Sequence, residues 1–158
     1  MPTSARAEQH LHHWLMHRRA LEELLTRLPD SAAGFRPWDG AMTTAALVAH
    51  IARSTNRLLQ GVEAGAMTPP SGQPPAPPAT MAEARDLLAS ATAETQALLS
   101  RLTDAQLERV IAFRPGIEQP GAVMMAMSLD HEIHHKGQLW VYARMCGVEP
   151  PLYISRPR

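Results

Sequence analysis

Two histidines one helical turn apart, His131 and His135, stand in the segment DHEIHHKGQ at residues 130–138. On a helix each residue advances the chain by ~100°, so positions i and i+4 share a face and both imidazoles can meet one ion. Imidazole suits zinc, nickel, iron and copper, so the pair points to a divalent metal without choosing which. A catalytic centre usually has a third protein ligand and keeps one position open for water or substrate. His50, beside Ser54 at the edge of an apolar stripe, is the best candidate for that third ligand. Three neutral imidazoles around an ion can bring the pKa of a bound water or thiol toward neutrality and polarise a substrate oxygen.

These side chains need elements to carry them. At 158 residues the chain is long enough for one core, and residues 1–158 read as a single domain. Leu11, Trp14, Leu15, Leu21, Leu25 and Leu28 recur at helical spacing, which predicts a first helix over about 4–28, closed by Pro29. Residues 30–42 read as a loop whose Phe35 and Trp38 plug one end of the core. Thr43 or Thr44 caps a second helix, to about Ala64, in which Leu47, Ile51, Leu58 and Val62 form the apolar stripe beside His50. Residues 65–79 hold six prolines and two glycines and must cross the surface as an extended connector.

Thr80 and Glu83 form a capping-box pattern that opens a third helix over about 81–102, with Leu87, Ala91, Leu98 and Leu102 inward. Thr103 and Gln106 repeat the pattern and predict one short turn, after which residues 110–121 read as irregular. The last helix runs from about Gly121 to Cys146, with Gly147, Pro150 and Pro151 as its stop. Met124, Ser128, His131, His135, Gln138 and Tyr142 fall on one stripe of it, so polar groups occupy a face that should be packed and must find partners. The expected fold is all-α: a four-helix bundle with a long proline-rich crossover between helices two and three, a common setting for metal sites.

Other readings compete at several of these residues. His13 and His17 share the i, i+4 spacing but point away from the Leu11 and Leu15 stripe, which reads as a solvated face. Residues 131–135 also satisfy H-E-x-x-H, in which Glu132 would be the general base of a metalloprotease with Glu149 as a third ligand. Glu149 lies past the helix stop, and Glu132 is ~80° from the ligand direction, so it reads as a flank residue or a support behind a ligand. His134 reads as a flank residue too. Gln138 and Tyr142 could contact substrate, orient a ligand, or satisfy each other. Cys146 lies ~16 Å along the helix from His135, too far to share its metal.

Composition removes some partners. Lysine plus arginine equals aspartate plus glutamate at fifteen each, and aromatics make up 4%, so no basic groove with stacking platforms is expected and nucleic acid is set aside. No signal-peptide core or eighteen-residue apolar run is present, and the single cysteine cannot close an internal disulfide. The expected location is the cytoplasm, away from any membrane.

The segment HEIHHKGQLWVYARMCGVEPP, preceded by LVAHIARSTNRLL on the second helix, resembles the DinB-like family, also called DinB/YfiT-like metalloenzymes. The resemblance covers nearly the whole chain, and HxxxHxGQ is its most specific part. It implies a four-helix bundle with a long crossover, often a homodimer, that holds a divalent metal, zinc or nickel first, by three histidines. By position these are His50, His131 and His135. Lys136 stands where arginine is common, off the ligand face. Relatives include metal-dependent S-transferases and isomerases that use a low-molecular-weight thiol. The expectation is a small-molecule S-transferase first and a hydrolase second. The alternative is a non-catalytic stress-related or binding bundle with a structural or vestigial metal. A solvent-connected pocket at the histidines separates the two.

Overall fold

The computed structural model describes residues 3–69 and 72–156, so Pro70 and Ser71 of the expected connector lie outside the described residues. Among those residues are five α-helices, one 3₁₀ turn and a two-stranded sheet. Helix starts follow local capping chemistry, because the first backbone N–H groups of a helix lack partners within it. Ser4 caps α1 (Ala5–Arg27), Thr43 caps α2 (Thr44–Ala64) and Thr80 caps α3 (Met81–Leu99), each hydroxyl accepting from a backbone N–H of the first turn. Thr103 and Gln106 form the reciprocal capping box of α4 (Asp104–Glu108). The last helix, α5, spans Gly121–Met145. Gly65 ends α2 at φ 78°, a left-handed conformation that glycine adopts without strain.

The long helices pack on one another, α2 against α3 and α5, and α1 against α3 and α5. Two apolar clusters result. One gathers Leu21, Leu25, Leu47, Ile51, Leu88 and Leu139; the other gathers Trp14, Leu59, Val62, Leu99, Leu107 and Met124. Between them in sequence, on all four long helices, lie the buried polar residues Arg18, Thr55, Thr92 and Glu132. A polar layer therefore divides the core at the level of His131 and His135.

Four sequence expectations need correction. Residues 110–121 are not irregular: Val110–Arg114 (β1) pairs antiparallel with Ile117–Pro120 (β2), with Val110 opposite Pro120 and Ile111 opposite Gln119. Pro115 and Gly116 make the turn, Gly116 at φ 74°, and fully buried Ile111 anchors β1. The chain is thus mostly helical rather than all-α. Helix α3 ends at Leu99 instead of Leu102, and its inward residue is Leu88, with Leu87 only half-buried. Trp38 is 63% exposed and plugs nothing, whereas Phe35 does pack on the core, edge to face with Tyr142. Among the described residues no helix is long and apolar enough to cross a membrane.

Candidate metal centre

His50 comes from the second turn of α2, and His131 and His135 from adjacent turns of α5, the two helices lying side by side. The three Nε2 atoms converge: His50 Nε2 is 3.0 Å from His131 Nε2 and 3.2 Å from His135 Nε2. No other group of three or more His, Cys, Asp or Glu side chains among the described residues could hold an ion. Nitrogens bound to one ion at ~2.0–2.1 Å with tetrahedral angles lie ~3.4 Å apart, so the observed spacing fits a shared ion to within a few tenths of an ångström.

Protonation favours the same outcome. Burial lowers the pKa of His50, helped by neighbouring His135. Burial, then His135 and His50, brings His131 to about 4. Both rings are therefore neutral at pH 7 and keep a nitrogen lone pair. The Gln138 amide oxygen accepts a hydrogen bond from His135 Nδ1 at 2.7 Å, which places that ring's proton on Nδ1 and leaves Nε2 free to bind. Among the three readings of Gln138, orienting a ligand is the one its contact matches.

Tyr142 is not brought to the histidines. Its hydroxyl donates to the Met42 carbonyl at 3.2 Å, and its ring lies buried in the first apolar cluster. His134 is exposed, its ring 4.8 Å from that of His135. Cys146 packs beside the same apolar cluster, and burial raises its thiol pKa.

Two residues expected off the core, Glu132 as a flank residue and His17 on a solvated face, are buried. Glu132 has no exposed surface, and its carboxylate accepts from Arg18 Nε and Nη2, Trp14 Nε1 and the Thr55 hydroxyl. A carboxylate so committed is in no position to serve as general base, which removes the H-E-x-x-H reading. His17 is 6% exposed rather than solvated, and Lys136 Nζ donates to its Nδ1 at 2.8 Å and to the Tyr153 carbonyl. Burial lowers Lys136 to about 8. The His13 and His17 pair is thereby divided, one ring exposed and the other engaged with Lys136.

A cleft of about 290 Å³ reaches the centre, lined by His50, Ser54, Arg57, Leu58, Met67, Phe113, Arg114 and His131. The hairpin supplies one wall of it and α2 the other. Of these residues Arg57, Met67, Phe113 and Arg114 go unnamed in the sequence reading. Arg57 could have been found: seven residues past His50, it falls within ~20° of the same direction on α2.

A family model described as the DinB superfamily matches residues 13–139. The chain belongs to the DinB superfamily. The uncharacterized protein YjoA of Bacillus subtilis strain 168 is 30% identical to this DinB-superfamily chain over 153 residues, which cover 95% of this chain and 97% of that protein. The crystal structure of the DinB-like protein YjoA superposes with a TM-score of 0.81 at 31% identity, covering 94% of this chain and 99% of that one. A DinB-like protein from Bacillus cereus ATCC 10987 shares the fold, with a TM-score of 0.76 at 22% identity over 91% of this chain and 95% of that one.

Proposed function

We propose that this DinB-superfamily protein is a metal-dependent enzyme acting on a small molecule, first as an S-transferase that uses a low-molecular-weight thiol and second as a hydrolase. His50, His131 and His135 are the ligands, and the metal is divalent, zinc or nickel before others. The observation that carries this is the meeting of three Nε2 atoms beside an open cleft that His50 and His131 line. A purely structural metal is normally closed off by protein ligands, whereas this one would face a space that a substrate can enter. When bound, a divalent ion supplies Lewis acidity that favours the deprotonated form of a thiol or water at neutral pH.

The chain's own residues do the rest. Gln138 holds His135 in the required tautomer. Glu132, tied to Arg18, fixes the turn of α5 that carries His131. Leu58, Met67 and Phe113 give the cleft an apolar wall against which a substrate body can pack. In the same reading residues 1–158 form one domain, α1, α2, α3 and α5 form a four-helix bundle with residues 65–79 as its crossover, and the protein works as a cytoplasmic homodimer without nucleic acid or membrane partners.

Elemental analysis of protein purified without a metal-affinity tag tests the site, on wild type, His50→Ala and His134→Ala. Near-stoichiometric metal is expected in the wild type and in His134→Ala, and its loss in His50→Ala. Metal-loaded protein is then assayed for thiol transfer and ester or amide hydrolysis. A wild type that neither carries nor takes up metal overturns the proposal in favour of a non-catalytic binding bundle.

A further inference from the structure

The cleft at the histidines continues outward into a wider groove of about 650 Å³, and the two share Arg57, Met67, Phe113 and Arg114. Both arginines therefore stand where the entrance narrows toward His50 and His131. Neither forms an ion pair among the described residues, although Arg6, Arg18, Arg27 and Arg101 all do. Arg53, one turn earlier on α2, is spent on the connector, donating to the Pro75 and Ala76 carbonyls at 3.0 and 3.1 Å. Arg57 has only a 3.4 Å contact with the Thr68 carbonyl, and Arg114 lies over the Phe113 ring, 4.9 Å from its centroid. Glu118 lines only the outer groove, so the inner cleft carries two positive charges and no carboxylate. Guanidinium groups left unpaired beside an apolar wall match a ligand that has an apolar body and an anionic end.

We infer that the substrate of this site carries an anionic group, held between Arg57 and Arg114, and an apolar body that packs on Leu58, Met67 and Phe113. Its orientation, reacting end toward His50 and His131, rests on the metal-centre reading; its charge preference does not. Arg57 comes from α2 and Arg114 from the end of β1, so the hairpin is what completes the anion site. Both arginines are exposed, which makes the attraction sensitive to salt.

The test is isothermal titration with phenylmethanesulfonate, whose sulfonate is a weak metal ligand, and with the neutral benzyl methyl sulfone of similar shape. At low ionic strength wild-type protein should bind the sulfonate roughly tenfold more tightly than the sulfone. The ratio should shrink as salt is added, fall close to one in the double variant Arg57→Gln/Arg114→Gln, and stay unchanged in Arg144→Gln, which alters an exposed arginine outside the cleft. Failure of the sulfonate to bind, equal binding of the two probes, or a preference that survives in the double variant overturns the inference. Metal content measured on the same samples keeps the two readings apart. Metal-loaded protein without a charge preference sinks only the anion site, and wild type that neither carries nor takes up metal yet still prefers the sulfonate supports the anion site while sinking the metal centre.

Discussion

Arg18 and Glu132 face each other through two parallel hydrogen bonds, Nε to Oε1 at 2.7 Å and Nη2 to Oε2 at 2.7 Å, and neither side chain has exposed surface. Trp14 Nε1 adds a third bond at 2.7 Å and the Thr55 hydroxyl a fourth at 3.2 Å, while Arg18 Nη1 reaches the Thr92 hydroxyl at 3.2 Å. One carboxylate thus links α1, α2 and α5, and its arginine extends the link to α3. Charges in that position are costly to bury and are tolerated here because every strong acceptor site is used.

Removing one partner leaves the other charged, dry and unpaired. Glu132→Ala or Arg18→Met is expected to lower the stability of metal-stripped protein by roughly 3–5 kcal/mol. The double variant Arg18→Met/Glu132→Leu should cost much less than the sum of the two, because no charge is stranded. Urea unfolding monitored by circular dichroism reads both quantities. Additive losses would show that the two residues act independently and that the bonds do not hold α1 to α5.

The histidines on α1 make the metal-free protein sensitive to acid. Burial, then Lys136 and His13, lowers His17 to about 4, and burial, then His13, lowers His10 to about 4. His131, also lowered to about 4, joins them when no metal is bound. In the unfolded chain a histidine titrates near ~6.5, so between that value and 4 the unfolded state holds more protons than the folded one. Stability should therefore fall as pH drops through this window, by at most about 1.4 kcal/mol per pH unit for each ring. Lys136, lowered to about 8, acts in a separate window: stability should rise with pH between 8 and its ordinary value of 10.5. Urea midpoints of metal-stripped protein from pH 4 to 7 check the acid limb, and His17→Gln, which keeps an acceptor for Lys136 but does not titrate, should flatten it.

The cluster of three histidines was legible because most of its signal is local. His131 and His135 are one turn apart, and His50 needs only α2 to lie beside α5. Glu132 was not legible as a core residue, because its burial is decided by α1 and α2 closing on α5, with Trp14, Arg18 and Thr55 against its carboxylate. That helix is buried on several sides, at Met124, Leu129, Glu132, Lys136, Leu139 and Trp140, so no single stripe describes it. The same closure buries His17, whose position relative to Leu11 and Leu15 suggested solvent. The hairpin does leave a readable trace: Pro115-Gly116 between VIAFR and IEQ is a turn signal flanked by strand formers. Phe113 and Arg114 depend on that turn, because they reach the cleft only where the hairpin lies across from α2.

Gln138 offers a test of the ligand geometry that leaves the fold alone. Its amide oxygen holds His135 Nδ1–H at 2.7 Å from one turn away on α5, and the side chain is only half-buried. Without that acceptor the ring can rotate and can carry its proton on Nε2, where it blocks binding. Gln138→Ala should lower metal affinity by roughly 10–100-fold in competition with a chromogenic chelator, while the urea midpoint of metal-stripped protein moves little. Gln138→Glu keeps an oxygen acceptor, and as a carboxylate a stronger one, so it should bind metal at least as well as wild type. Equal affinity in wild type and Gln138→Ala would mean that His135 is oriented by its packing, and that the bond to Gln138 is incidental.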